Sequence, residues 1–214
     1  MEDIQNKINQ LKKEQDSIDN IVQLGDLYTS KGDIVEAQHQ YQEAIEKFPS
    51  DPRGYAKMGE LSLKNGELKV ANNYFGQATN VGGSSADIWL GYAIVNYKSN
   101  GFSRAEEYVD KALSLAPENP RVLLYAGIIK MRNHNLYYAE KFLKTLDELE
   151  DNPYEPYTKF YLGLLAFQKS LFGKAMELFK SIEENEEFNS VEANKIALLN
   201  NLGLVSIRTG GMEA

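Results

Sequence analysis

The sequence predicts an all-α fold, a solenoid of antiparallel helix pairs, because three series of residues recur in the same phase with a period near 34 residues. The first series is a small residue that follows an apolar or aromatic one, with spacings of 34, 34, 34, 36 and 40 residues. The second consists of alanines, and the third consists of large apolar residues four positions later. Independent series with one period indicate a stack of equivalent helical units. The series are Gly25, Gly59, Ala93, Gly127, Gly163 and Gly203; Ala37, Ala71, Ala105, Ala139 and Ala175; and Tyr41, Phe75, Val109, Leu143 and Phe179.

Each repeat is predicted to contain two helices. Apolar residues from Ile18 to Tyr28 recur at steps of three and four, which predicts the first helix. Gly32 can adopt the left-handed conformation that ends it. The second helix ends before Pro49, because a residue that precedes proline avoids helical angles. The small residues let the backbones approach closely, and each unit buries its apolar face by stacking on its neighbours.

The repeat resembles a known family. The period of 34 residues, the Leu-Gly-x-x-Tyr stretch Leu24–Tyr28, and Ala37, Tyr41, Ala44 and Pro49 are similar to the tetratricopeptide repeat (TPR). The resemblance extends over about residues 18–209 and implies a right-handed superhelical solenoid of about five and a half repeats. It also implies that the first helix of each repeat lines a concave groove.

We divide the chain into an N-terminal leading or capping helix, residues 1–17, and a solenoid, residues 18–214. Repeats are expected to begin near residues 18, 52, 86, 120 and 156, with a truncated repeat near 196. Two residues are inserted around Asp151–Pro156, and six are inserted between Ser181 and Asn194. Insertions in solenoids usually form loops, so we expect loops here. The second insertion is rich in glutamate; a solvated acidic loop is the favoured interpretation and a cation site the alternative.

The C-terminal region is expected to be unfinished. The predicted last helix, Ile196–Ile207, is rich in apolar residues, and Arg208–Ala214 look like a turn and the beginning of another helix. Solenoids normally end in a polar capping element. We therefore expect the natural chain to continue beyond Ala214. If it does not, the exposed face of the last helix is expected to associate, for example with a second copy.

Composition argues against several functional classes. The net charge of −8 argues against sequence-independent nucleic-acid binding, which needs clustered lysine and arginine. The absence of cysteine excludes thiolate metal sites and a cysteine nucleophile. His39 and His134 lie in different repeats without metal-ligand spacing, and no phosphate-binding or dinucleotide motif is present. We therefore predict that the chain is not an enzyme and has no cofactor, no metal site and no nucleic-acid partner.

The sequence also bears on location. No apolar run approaches the roughly 18 residues of a membrane span, so no direct membrane insertion is expected. The polar N-terminus lacks the features of a signal peptide, which predicts a cytoplasmic protein, or a periplasmic one if a leader has been removed. Ser84 or Ser85 is expected to cap a helix rather than to bind phosphate.

The groove-facing positions of the first helices carry the candidate binding site. One TPR subfamily holds a C-terminal carboxylate with lysine, asparagine and basic residues at groove-facing positions. The corresponding positions of this chain carry Val22, Asp26 and Asp87, so the resemblance implies no carboxylate-binding site of this kind. From the third repeat onward most of the groove-facing positions are apolar, and these apolar positions are the candidate binding residues. They are Leu90, Ile94, Tyr97, Leu124, Ile128, Met131, Phe160, Leu164 and Phe167.

An apolar groove suits an amphipathic helix or an extended peptide with apolar anchors. The leading functional hypothesis is therefore a protein–protein interaction scaffold with a protein or peptide ligand. Three alternatives stay open. The groove side chains pack on one another or are covered by another part of the chain; the protein is a self-assembling structural scaffold; or it is the regulatory TPR domain of a larger protein.

Overall fold

In the computed structural model, residues 2–14 and 17–210 are described, and all the regular structure in these ranges is helical, as the sequence predicts. The chain divides into two compact units, Met1–Tyr108 and Val109–Ala214, with the boundary inside α7. No helix within the described ranges is long and apolar enough to cross a membrane. The helices are α1 (Glu2–Leu11), α2 (Ile18–Lys31), α3 (Ile34–Lys47), α4 (Pro52–Lys64), α5 (Leu68–Asn80), α6 (Ala86–Lys98), α7 (Phe102–Leu115), α8 (Pro120–Arg132), α9 (Leu136–Asp147), α10 (Glu155–Gln168), α11 (Phe172–Lys180), α12 (Glu186–Asn189) and α13 (Glu192–Gly210).

The first unit contains helix pairs with the predicted ends. α2 packs against α3, and α4 packs against α5. The Ser17 hydroxyl accepts a hydrogen bond from the Asn20 amide at 3.1 Å and begins α2. Gly32, with a φ of 83°, ends α2 in the left-handed conformation, as predicted. The Ser85 hydroxyl accepts a hydrogen bond from the Ile88 amide at 3.4 Å, so the predicted capping role is confirmed.

The N-terminal helix α1 packs against α2. Ile8 is buried in a cluster with Leu24 and Tyr28, and Ile4 and Leu11 lie beside it. These three residues of α1 recur at steps of three and four, so one face of the helix covers the first repeat. α1 therefore shields apolar surface at that end of the first unit.

The second unit repeats the arrangement, with α8 packed against α9 and α10 against α11. The turn after the first helix of a repeat contains a residue with a positive φ in five successive repeats. It is glycine at Gly32 and Gly66, but Asn100, His134 and Ser170 in the following three. In the third repeat the left-handed residue is Asn100, because asparagine tolerates this conformation better than most side chains. His134 is exposed at its turn.

The glycine series and the large apolar series are partners in packing. A methyl group added to Gly59 would lie 2.8 Å from the Phe75 ring. At Gly163 it would lie 2.5 Å from the Phe179 ring. The large residue comes from the second helix of the same repeat in both cases, and the pair Gly127 and Leu143 is arranged alike. The missing side chain of glycine is therefore the space that the large residue occupies.

Two elements differ from the sequence expectation. The second insertion is not a plain loop, because it contains the short helix α12. The last helix, α13 (Glu192–Gly210), begins before Ile196 and extends past Ile207. Residues 211–214, where a further helix was expected to begin, lie outside the described residues.

Candidate interaction site

The candidate groove residues fall in both units and are less exposed than an open apolar surface requires. Five of the nine are buried and four are half-buried. The packing of these side chains within the protein is therefore part of their role, and their contact with a partner stays a prediction. Leu90, Ile94, Leu124, Ile128 and Phe160 are buried, and Tyr97, Met131, Leu164 and Phe167 are half-buried.

In the first unit, charged side chains on α2, on α4 and at the residue that caps α4 pair with one another. Arg53 contacts the carboxylates of Asp19 and Asp51. The ammonium nitrogen of Lys57 lies 3.0 Å from Oδ1 of Asp26. Because these cations already contact carboxylates, they are not a preformed site for an anionic ligand.

The same network fixes two protonation states. Burial raises the pKa of Tyr41 well above that of a free phenol; the Thr29 hydroxyl opposes this, and the Asp26 carboxylate adds to it. The Tyr41 hydroxyl accordingly donates to Asp26 Oδ1 at 2.7 Å. Burial alone would lower the pKa of Lys57, but the carboxylates of Glu60 and Asp26 raise it above its ordinary value. This face of the first unit is therefore a fixed polar network at neutral pH.

The second unit contains a cavity of about 360 Å³ between α8 and α10. Arg121 and the candidate groove residue Leu124 come from α8, and Tyr157 comes from α10. The walls combine aromatic and aliphatic surface with one guanidinium and one carboxylate, a mixture typical of sites that hold one anchoring side chain. The cavity is lined by Arg121, Leu124, Tyr125, Pro153, Tyr154, Tyr157 and Glu187.

The first insertion supplies one wall of this cavity, through Pro153 and Tyr154. Oδ1 of Asn152 accepts a hydrogen bond from the Tyr154 amide at 2.9 Å. The hydroxyl of Thr158, a fully buried residue, donates to the Tyr154 carbonyl at 2.9 Å. Asn152 Nδ2 donates to the same hydroxyl at 3.2 Å. These bonds hold the backbone of the insertion, so the wall is formed before any ligand binds.

The second insertion supplies another wall, which the sequence interpretation did not predict. Phe188 is 1% exposed, and its ring centroid lies 5.2 Å from that of Tyr157 and 5.4 Å from that of Phe160. Oδ1 of Asn185 accepts a hydrogen bond from the Phe188 amide at 2.8 Å and begins α12. Buried Phe188 thus anchors the segment and brings its neighbour Glu187 to the cavity. A single phenylalanine among glutamates was the signal in the sequence.

A more open depression of about 660 Å³ lies beside the first insertion. Its lining includes Asp147, Glu150, Asp151 and Glu155, and the ammonium of Lys159 contacts Glu155. Across the described residues, no group of three or more histidine, aspartate and glutamate side chains is placed to hold a metal ion. The carboxylates of its lining make this depression an acidic surface.

Comparisons with known proteins agree with this architecture. Two family models match, one described as TPR repeat over residues 25–66 and one described as tetratricopeptide repeat over residues 56–120. The human protein O-mannosyl-transferase TMTC3 is 28% identical over 170 residues. That alignment covers 78% of this chain and 18% of TMTC3, so the chain spans about a fifth of this relative.

Solved structures share the fold across most of the chain. A chain of the APC/C hetero-tetramer Cut9–Hcn1 superposes with a TM-score of 0.81 at 13% identity, covering 97% of this chain and 40% of that chain. YrrB, described as a TPR protein with an unusual peptide-binding site, superposes with a TM-score of 0.62 at 17% identity, covering 91% of this chain and 96% of YrrB. The chain therefore contains tetratricopeptide repeats over residues 25–120, and it shares the fold of these solved structures across most of its length.

Proposed function

We propose that this chain is a protein-interaction scaffold whose second unit binds a peptide or an amphipathic helix by accepting one large apolar side chain in the cavity between α8 and α10. One observation carries the proposal. Both insertions that break the repeat period contribute walls to this cavity, Pro153 and Tyr154 from the first and Glu187 from the second. A solenoid tolerates insertions at many loops. Two that converge on one cavity therefore favour a binding function.

The chemistry of the cavity favours a neutral anchor with polar groups on either side. The tyrosine rings and Leu124 suit an aromatic or long aliphatic side chain. Arg121 can donate to a carbonyl and Glu187 can accept from an amide, which are the groups that an extended peptide backbone presents. The candidate groove residues Leu164 and Phe167 lie further along α10, half-buried, where they could contact the same ligand.

The relatives support a binding role more than a catalytic one. YrrB is described as having a peptide-binding site, and the Cut9 structure is that of a protein assembly. The name of TMTC3 describes a transferase, but the chain covers 18% of that protein. We propose no transferase activity, because the cavity brings together no nucleophile with an adjacent base.

A displayed peptide library tests the proposal. Peptides selected on the wild-type chain are labelled, and their affinities are measured by fluorescence anisotropy against wild type, Tyr154→Ala and Glu187→Arg. Tyr137→Ala and Glu184→Arg are matched controls, because Tyr137 is an exposed tyrosine on α9 and Glu184 an exposed glutamate of the same insertion, and neither lines the cavity.

We expect the selected peptides to share an aromatic or large aliphatic residue. Tyr154→Ala should weaken their binding by about 30-fold, the loss typical of a truncated central interface residue. Both controls should bind as wild type does, and circular dichroism should show that all four variants are folded. Peptides that share no anchor, or whose affinity is the same for Tyr154→Ala and Tyr137→Ala, would contradict the proposal.

A further inference from the structure

The net negative charge of the chain is concentrated in the two segments that contain the insertions. Residues 147–155 and 181–194, which we call the acidic segments, hold ten aspartate and glutamate residues and no lysine or arginine. The other 191 residues therefore carry a net charge of +2, against −8 for the whole chain. The repeated part of the solenoid balances its charges, and the excess of carboxylates belongs to the segments that depart from the repeat.

The carboxylates of the acidic segments are exposed and have few cationic partners. All ten residues are exposed, and within the described part of the chain only Glu155 forms an ion pair, with Lys159. Asp147 and Glu148 lie at the C-terminal end of α9, where carboxylates oppose the helix dipole. A general need for solubility would be met by charge anywhere on the surface. Neither helix stability nor solubility explains why the charge is clustered here.

Both acidic segments reach the cavity between α8 and α10. Pro153 lines this cavity and also lines the acidic depression beside the first insertion, so the two share a wall. Glu150 and Asp151 line the depression, and Glu187 of the second segment lines the cavity. An anchoring cavity with aromatic walls thus has a carboxylate at its own edge and an acidic surface next to it.

We propose that the partner of this cavity is a basic peptide segment, in which lysine or arginine residues flank the apolar anchor. The inference rests on the proposed function, because the anchor fixes the place of the peptide. Charge complementarity defines the partner: its cations lie over the depression while its anchor occupies the cavity, which offsets the repulsion among the carboxylates. Exposed charges of this kind act mainly on the association rate, and salt screens them.

The composition and salt dependence of bound peptides test the charge of the partner. Selection of a random displayed library on wild type at low ionic strength should enrich lysine and arginine near the anchor, relative to the unselected library. In one selected peptide, glutamine in place of each lysine and arginine should weaken binding at least tenfold. Raising the NaCl concentration from about 50 to about 500 mM should remove most of this difference, because the shorter Debye length screens exposed pairs.

Charge reversal on the protein tests the depression. Glu150→Lys should weaken binding of the unaltered peptide about fivefold at low salt, and should leave the affinity of the glutamine peptide unchanged. Glu177→Lys is the matched control, because Glu177 is an exposed glutamate of α11 that lines neither the cavity nor the depression. It makes the same change in net charge and should bind as wild type does. Both substitutions replace exposed side chains, and circular dichroism should show that both variants are folded.

The outcomes separate this inference from the proposed function. Peptides that bind Tyr154→Ala weakly, but lack added lysine and arginine and bind Glu150→Lys as well as wild type, would overturn the basic partner and leave the cavity supported. Equal weakening by Glu150→Lys and Glu177→Lys would also overturn it, because the effect would then follow net charge and not the depression. Peptides that respond to Glu150→Lys and not to Tyr154→Ala would refute the anchoring cavity and support a basic ligand at the depression.

Discussion

Substituting alanine at two glycines of the same series should change the stability of the protein in opposite directions. Gly163 and Gly203 occupy the same position of successive repeats and lie in the same unit. At Gly163 an added methyl group would lie 2.5 Å from a ring carbon of Phe179. At Gly203 it would meet no atom within 4 Å apart from its chain neighbours and the nearby backbone of its own helix. The two substitutions therefore differ in packing and share the change in helix propensity.

The magnitude follows from these two contributions. Phe179 is fully buried, so its ring has little room to move, and overpacking of this kind costs about 1–3 kcal/mol. Alanine in place of glycine inside a helix contributes about 1 kcal/mol of stability. We expect Gly163→Ala to lower the free energy of unfolding by up to about 2 kcal/mol and Gly203→Ala to raise it by up to about 1 kcal/mol. The difference between the two variants isolates the packing cost.

Urea unfolding followed by far-ultraviolet circular dichroism measures both changes, at a concentration where sedimentation shows the monomer. Trp89, the single tryptophan, lies in the first unit, so its fluorescence shows whether the two units unfold together. Thermal unfolding should show a melting temperature lower by up to about 8 °C for Gly163→Ala. Equal effects of the two alanines, or stabilisation by Gly163→Ala, would refute the packing explanation for the glycine series.

Three further outcomes are expected in the same urea assay. Asp110→Ala should lower the free energy of unfolding by about 2 kcal/mol, because it removes the carboxylate that lies 2.8 Å from the ammonium of Lys130, whose side chain is 9% exposed. Lys130→Met should lower the free energy of unfolding by less than about 1 kcal/mol, because it removes the buried charge itself. Phe188→Ala should lower the free energy of unfolding by about 3–5 kcal/mol, because it empties a buried aromatic position. If the insertion were a solvated loop, the same substitution would change it by less than about 0.5 kcal/mol. The raised pKa of Tyr41 means that wild type loses stability as the pH rises above about 10, where the unfolded phenol ionises first. Tyr41→Phe loses the hydrogen bond to Asp26 and should have a lower free energy of unfolding than wild type at about pH 8. Because only wild type has the titrating phenol at this position, the difference between the two proteins should be smaller at about pH 10.5.

The repeated part of the fold could be predicted from the sequence because its determinants are local and recur. Ser17 and Gly32 fix the two ends of α2 through contacts within a few residues. The glycine at Gly59 and the ring of Phe75 are far apart in the sequence, but the common period of their two series predicts that they meet. Repetition thus turns a long-range contact into a pattern that one sequence can show.

The burial of the candidate groove residues could not be predicted in the same way. The spacing of Leu124 and Ile128 identifies the face of α8 on which they lie. It does not give the angle at which the next helix packs, and that angle decides whether the face is open or covered. Both residues are 6% exposed, so the face predicted to be a groove surface is largely covered there.

This burial changes which substitutions can test binding. Glutamate at Leu124 or Ile128 would place a carboxylate among buried apolar side chains, so a lost partner would not be distinguishable from a lost fold. Tyr154 and Glu187 line the cavity; Tyr154 is half-buried and Glu187 is exposed. Substitutions at these two residues therefore alter the walls of the cavity more than the core.

Tyr154 and Glu187 both belong to insertions that break the 34-residue period. The residues that make every repeat alike are those that hold the solenoid together, and a surface that recognises one partner has to differ from repeat to repeat. In this chain the departures from the 34-residue period are therefore better indicators of the proposed binding site than the series that define that period.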